Sequence, residues 1–524
     1  MDMRINYSLM PQEILKEEHR LLPILHAAGV DQIWIADYFY GHHVASPELA
    51  VKARQVVESQ GFDGQGIVSV PVGHPGNALN PEDPTLDLRI PDHWRYRINR
   101  HGKPVYFCAD VDAHMITDNT AAVRLMADHG FTQFFMDDDL RQGNWGREIQ
   151  GCFCDSCISE FCQHLGQTVS RLELSLAIER LDDPVLLEEW TNFQCIKVQR
   201  LMFALAEQAQ QIGIMVMHHG DERHGLDLAA LRAAYPDMLV RVGEMYFSDS
   251  DYGKTLGKVS QLMGILQHLR LVGRRNSYSE TTIFPPRALS PANWVHKMKL
   301  TLAAGTENLF FMGGTWTIED NYWQAEINAL PSIKRLAALA EPERRFPIHV
   351  VSGTHGALGE AIDPPTLPFL AGLPATPARA NDLPSGGEVL LAFGDYDLGK
   401  AWECQLIKYD TVICDEAALQ RNPFLRDLGV TILPYHIADD KPAALVALRQ
   451  ALAKTIPSYP WLVEGRDISL FWLGDGVLIL NMLAQVNTGV LALAQARRAF
   501  SLPAQAIAYI PLTEQMIGDV QVID

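Results

Sequence analysis

Eight short apolar runs alternate with helix-patterned stretches over the first 340 or so residues, and that alternation leaves few folds open. The runs are Arg4–Leu9, Gln32–Tyr38, Gly66–Val72, Thr132–Asp137, Gly213–Met217, Leu239–Met245, Arg275–Ser279 and Asn308–Met312. They are rich in Ile, Val, Phe and Tyr, as buried parallel strands must be. Helical patterns lie between most of them, including Gln12–Ala28, Glu48–Ser59, Ala121–His129, Leu186–Ile212 and Pro291–Ala304. Strands linked by helical crossovers predict an α/β domain, a (β/α)8 TIM barrel over residues 1–344. A doubly wound open sheet is the structural alternative.

A second pattern begins near Arg345. Ile348–Ser352, Val389–Phe393, Thr411–Asp415 and Val430–Pro434 look like strands, with helices such as Lys441–Ile456 between them. Residues 345–458 therefore predict a small flavodoxin-like α/β domain, with Asp363–Gly387 as a long Pro/Gly-rich loop. Residues 459–524 predict a small antiparallel β domain. Its hairpin signal is Asp467–Leu473, the turn Gly474-Asp-Gly476 and Val477–Leu483.

The 524 residues carry a formal net charge of −20, which disfavours nucleic acid and anionic membranes as partners. A neutral small molecule fits better. The start of the chain shows no basic segment followed by an apolar one, and no apolar run reaches the ~18 residues that span a bilayer. The eight cysteines then read as reduced thiols or metal ligands in a cytoplasmic protein.

Polar residues gather where a barrel carries its active site. Asp37, His74, Asp139, His218, His219, Glu244, Glu280 and Trp316 each fall at or just past the C-terminal end of an expected strand. Asp137, Asp138 and Asp139 form a run in which like charges raise at least one carboxyl pKa, which suits a general acid. Glu280 ends the seventh strand. Across a barrel mouth it pairs with the Asp run as the two carboxylates of a glycosidase. Glu244 is its rival, and a structural role for either is the plainer alternative. His218 and His219 are adjacent and point to opposite faces, so hydrogen bonding to substrate fits them better than a shared metal. Arg141 lies two residues past the Asp run as a further substrate-binding candidate, and Trp316 offers a face to stack on a sugar ring or to pack in the core.

Cys108, Cys152, Cys154 and Cys157 form the pattern C-x43-C-x-C-x2-C. Four converging thiolates make a closed, structural Zn2+ site. No organic cofactor is expected.

Taken together these motifs resemble glycoside hydrolase family 42, the β-galactosidases with a zinc-bearing barrel. The resemblance covers essentially the whole chain. It implies a barrel, a flavodoxin-like (glutamine-amidotransferase-like) domain used for trimerisation and a small C-terminal β domain. It also implies Cys108, Cys152, Cys154 and Cys157 as zinc ligands, Glu280 as nucleophile and Trp316 as the aromatic after the eighth strand. The family's fourth strand ends in Asp-Asn-Glu. Here Asp138 stands for the Asn and Asp139 for the Glu that serves as acid/base. The expected activity is that of a retaining exo-β-glycosidase on small oligosaccharides or glycosides. Family 164-like β-mannosidases share the three-domain build and are the near alternative. An inactive sugar-binding relative and a metal-dependent hydrolase or isomerase using His218, Glu244 and Asp138 are the others.

Overall fold

The structure is a computed structural model. It describes residues 3–64, 66–70, 90–136, 141–142, 148–218, 220–312, 317–340, 345–351, 366–379, 383–384, 387–394, 398–433, 441–513 and 516–523. The chain divides into two compact units. One comprises Met1–Phe247, Leu271–Trp294 and Thr306–Asn328, the other Ser248–Arg270, Val295–Gly305 and Ala329–Asp524.

Among the described residues the first unit holds eight parallel strands: β1 (Arg4–Leu9), β2 (Gln32–Phe39), β3 (Gly66–Val70), β4 (Gln133–Met136), β5 (Gln211–Met215), β6 (Leu239–Arg241), β7 (Ser277–Tyr278) and β8 (Asn308–Met312). Each pairs with the next in chain order. β1 also pairs with β8, so the ring closes into a (β/α)8 barrel and the open-sheet alternative falls away.

The barrel interior is filled by side chains. Trp34, Phe135, Tyr278 and Phe310 pack there with Ala36, Met215, Leu239 and Met312. The Trp34 ring meets Phe135 edge-on at 4.9 Å, and its Nε1 donates to Asn6 Oδ1 at 3.1 Å. Large rings on some strands demand small residues on others. A Cβ on Gly66 would lie 2.2 Å from the Trp34 ring, and one on Gly213 would lie 2.6 Å from Phe135. The strand ends thus stand on a packed plug, and the polar residues above it have a rigid floor.

Several sequence boundaries move: the helix expected over Ala121–His129 begins at Ala113, the strand expected at Arg275–Ser279 is Ser277–Tyr278, and the one expected at Val430–Pro434 is Thr431–Ile432. The helix expected over Leu186–Ile212 runs from Pro184 to Ala206, with Asp183 accepting from Leu186 N as its cap. Gln211 and Ile212 instead pair with Gln133 and Phe134 in β5, because sheet pairing outweighs local helical pattern. The sixth strand stops at Arg241 and not at Met245.

The second unit contains a five-stranded parallel sheet: β9 (Ile348–Val351), β10 (Thr376–Ala378), β11 (Val389–Ala392), β12 (Thr411–Cys414) and β13 (Thr431–Ile432). Its spatial order is β10-β9-β11-β12-β13, the order of flavodoxin-like sheets. The expected long loop at Asp363–Gly387 is corrected here. It contains the helix Thr366–Leu370 and the strand β10. Pro377 is tolerated in that strand because β10 is an edge. After Trp461 the strands are antiparallel. Ile468–Trp472 pairs with Gly476–Asn481, as the hairpin signal predicts.

His349, in β9, is 1% exposed, and its Nδ1 lies 2.8 Å from Tyr409 Oη. Burial, then the charge of Arg270, pushes the imidazole pKa down from 6.5 to about 4. Between those values the unfolded chain binds a proton that the folded chain refuses. Stability therefore falls as pH drops through that window, by on the order of 3 kcal/mol, and levels off below it. Unfolding free energies of wild type and His349→Gln should diverge across the window. Identical pH slopes would refute the assignment.

Candidate active site and cysteine cluster

Glu280 follows β7 and is 5% exposed. Its Oε1 accepts from Arg241 Nη2 at 2.9 Å, and its Oε2 accepts from the backbone N–H of Glu244 at 2.7 Å and of Met245 at 3.2 Å. Parallel pairing sets this up. Arg241 at the end of β6 is in register with Tyr278, two residues before Glu280. The Arg241 Nη1 also reaches Thr282 Oγ1 at 3.3 Å and Met312 Sδ at 2.8 Å, so one guanidinium ties three strand ends together. Met245 and Tyr246 have φ of 51° and 62°, a left-handed pair at non-glycine residues. That costly turn aims two N–H groups at one carboxylate oxygen. Trp294 Nε1 donates to Thr281 O at 3.0 Å, which ties down the backbone next to Glu280. The result is a fixed carboxylate in an anion-binding cradle.

Glu244 is buried beside this cradle through its backbone, and His218 is buried with its ring edge-on to Tyr246 at 5.5 Å. Glu280, Glu244 and His218 therefore occupy one end of the barrel. Arg141 is buried too, and its carbonyl lies 3.7 Å from Cys108 Sγ. Asp137, Asp138, Asp139, His74, His219 and Trp316 lie outside the described residues. Asp37, at the end of β2, meets His43 Nδ1 at 2.6 Å across a tight hairpin.

The cysteines make a second centre in the same unit. Cys154 caps the helix Asp155–Leu165, its Sγ accepting from Cys157 N at 3.5 Å. The Sγ atoms of Cys152, Cys154 and Cys157 and a carboxylate oxygen of Asp110 all lie within 4.8 Å of one another. Three thiols and a carboxylate are a donor set that fits a zinc ion. Cys108, expected as the fourth ligand, falls outside this group. Its Sγ faces the carbonyls of Ala109 at 3.5 Å and Arg141 at 3.7 Å. Lys197, 3% exposed, donates to Asp110 Oδ1 at 2.6 Å and Cys157 Sγ at 3.0 Å. Burial pushes the Lys197 ammonium pKa down, but Asp110 and then the thiols outweigh it, and it ends above its usual value. Hydrogen bonds from Cys152 and Cys157 drive the Cys154 thiol down, while the Cys152 thiol is pushed up to about 12.

Sequence reasoning missed Arg241, Asp110 and Lys197. A charged residue inside an otherwise apolar element was the available signal: Leu239-Val-Arg241, Cys195-Ile-Lys197-Val198 and Val105-Tyr-Phe-Cys-Ala-Asp110.

No protein-family profile matches the chain, and no curated protein matches it. Solved structures do. A cold-adapted β-galactosidase from Rahnella sp. R3 aligns with a TM-score of 0.65 at 10% identity, over 97% of this chain and 98% of that one. A catalytic mutant of a GH42 β-galactosidase from G. stearothermophilus aligns at 0.64 and 11%, over 97% and 98%. A β-galactosidase from the Antarctic haloarchaeon Halorubrum lacusprofundi aligns at 0.65 and 10%, over 97% and 99%. At these identities the likeness is one of fold: nearly the whole of this chain is built as those three β-galactosidases are.

Proposed function

We propose that the protein is a retaining exo-β-glycosidase of the β-galactosidase type, acting on small oligosaccharides or glycosides. The observation that carries this reading is the buried, triply hydrogen-bonded Glu280 at the end of the seventh barrel strand. It sits in a fold that is shared with β-galactosidases. Glu280 attacks the anomeric carbon. An aspartate of the 137–139 run, first Asp139 and then Asp138, protonates the leaving oxygen and afterwards takes the proton of the incoming water. Asp137, His218, Glu244, Arg141 and Trp316 contact sugar hydroxyls or the ring face. A zinc ion at the cysteine cluster fastens the loops there as a structural staple and takes no part in the chemistry. β-Mannosides are the alternative substrates, and a binding protein without turnover is the alternative role.

A panel of nitrophenyl glycosides tests the reading and names the sugar. Proton NMR of the first-formed product should show the anomer of the substrate. The opposite anomer would make Glu280 a base in an inverting mechanism, and no product from any glycoside would favour the binding protein.

The flavodoxin-like sheet has no nucleotide-binding fingerprint, so we assign residues 345–458 to oligomerisation. Light scattering should give a trimer of the 58.4 kDa chain. A monomer at micromolar concentration would end that assignment.

A further inference from the structure

Cys108 lies in the strand Pro104–Ala109 and Asp110 directly follows it, two residues on. Only one can complete a four-ligand set with Cys152, Cys154 and Cys157. The carboxylate of Asp110 is the one within reach. Cys108 is turned to two backbone carbonyls instead and lies beside the Arg97 guanidinium.

Charge points the same way. A divalent ion on three thiolates and one carboxylate keeps two net negative charges. A buried site cannot carry them without compensation. Lys197 Nζ binds Asp110 Oδ1 at 2.6 Å, and Arg95 Nη2 binds Asp110 Oδ2 at 2.9 Å. Those two cations match the two charges. Lys197 also touches Cys157 Sγ at 3.0 Å, so a single buried ammonium contacts two members of the set. Lys197 is 3% exposed, so its ammonium is solvated by the Asp110 carboxylate and the Cys157 sulfur in place of water.

We propose that zinc is held here by Cys152, Cys154, Cys157 and Asp110, with Lys197 as the buried counter-charge that positions Asp110 and Cys157, and with Cys108 outside the set. This rests on the zinc reading above and changes its fourth ligand from sulfur to oxygen.

Zinc-edge X-ray absorption on the full chain loaded with zinc salt is the direct test. It should show three sulfurs at about 2.3 Å and one oxygen at about 2.0–2.2 Å. Four sulfurs would overturn the proposal. In competition with a chelator, Cys108→Ser should keep wild-type zinc affinity and Asp110→Asn should lose it. Lys197→Met should bind zinc roughly 10–100-fold more weakly with the same sulfur count. Loss of zinc in Cys108→Ser with retention in Asp110→Asn would also overturn it. If Asp110→Asn does not fold, the spectrum of the unaltered chain still decides. A chain that takes up no zinc refutes both the ligand set and the zinc reading. Glycoside turnover is measured separately, so the hydrolase reading stands or falls on its own.

Discussion

Glu280→Gln should lower kcat for the best glycoside by roughly 10⁴–10⁶-fold, the scale seen when a catalytic nucleophile is removed. The amide has nearly the shape of the carboxylate, so geometry is kept while the negative charge is lost. The cradle sharpens the effect. Arg241 and the N–H groups of Glu244 and Met245 all donate to Glu280, and an amide offers only one oxygen to three donors. The variant therefore also loses stability, and circular dichroism at the assay temperature must show that it is folded. A smaller variant, Glu280→Ala, leaves a space where the proposed mechanism puts the anomeric carbon. Azide should then restore turnover on an activated glycoside and give a glycosyl azide of inverted configuration. Near-wild-type turnover by Glu280→Gln would move the nucleophile to Glu244 or remove the glycosidase reading altogether.

The barrel was legible because its strands are buried on both faces, and that leaves an unbroken apolar signature in the sequence. Glu280 was legible because a charged residue directly after such a run falls on the rim. Its partner was not. Arg241 belongs to β6, some forty residues away, and only the parallel register that pairs it with Tyr278 brings the two together. Asp110 is hidden in the sequence for a similar reason. The cysteine spacing points to Cys108, and nothing in one dimension says that the residue two positions on reaches the thiols instead. Lys197 lies in a helix whose pattern marks that face as buried, and a buried lysine becomes meaningful only once Asp110 and Cys157 are seen beside it. The strand at Thr376–Ala378 was hidden by its own proline, which an edge position excuses.

Arg241 should prove the second most sensitive position. Arg241→Met keeps much of the apolar stem and removes the guanidinium, leaving Glu280 charged and buried without its ion-pair partner, although the N–H groups of Glu244 and Met245 still donate to it. Breaking a buried ion pair from one side costs about 3–5 kcal/mol. If Glu280 is the nucleophile as proposed, losing this positioned donor should lower kcat/KM by roughly 10²–10³-fold. Arg241→Lys should fall between, because an ammonium replaces the charge but cannot span Glu280, Thr282 and Met312 at once. The double variant Arg241→Met/Glu280→Gln separates pairing from packing. With neither charge present no ion is stranded, so its denaturant midpoint should lie above that expected from adding the two single losses. Strict additivity would mean that the two side chains act independently and that the 2.9 Å contact between them holds nothing in place.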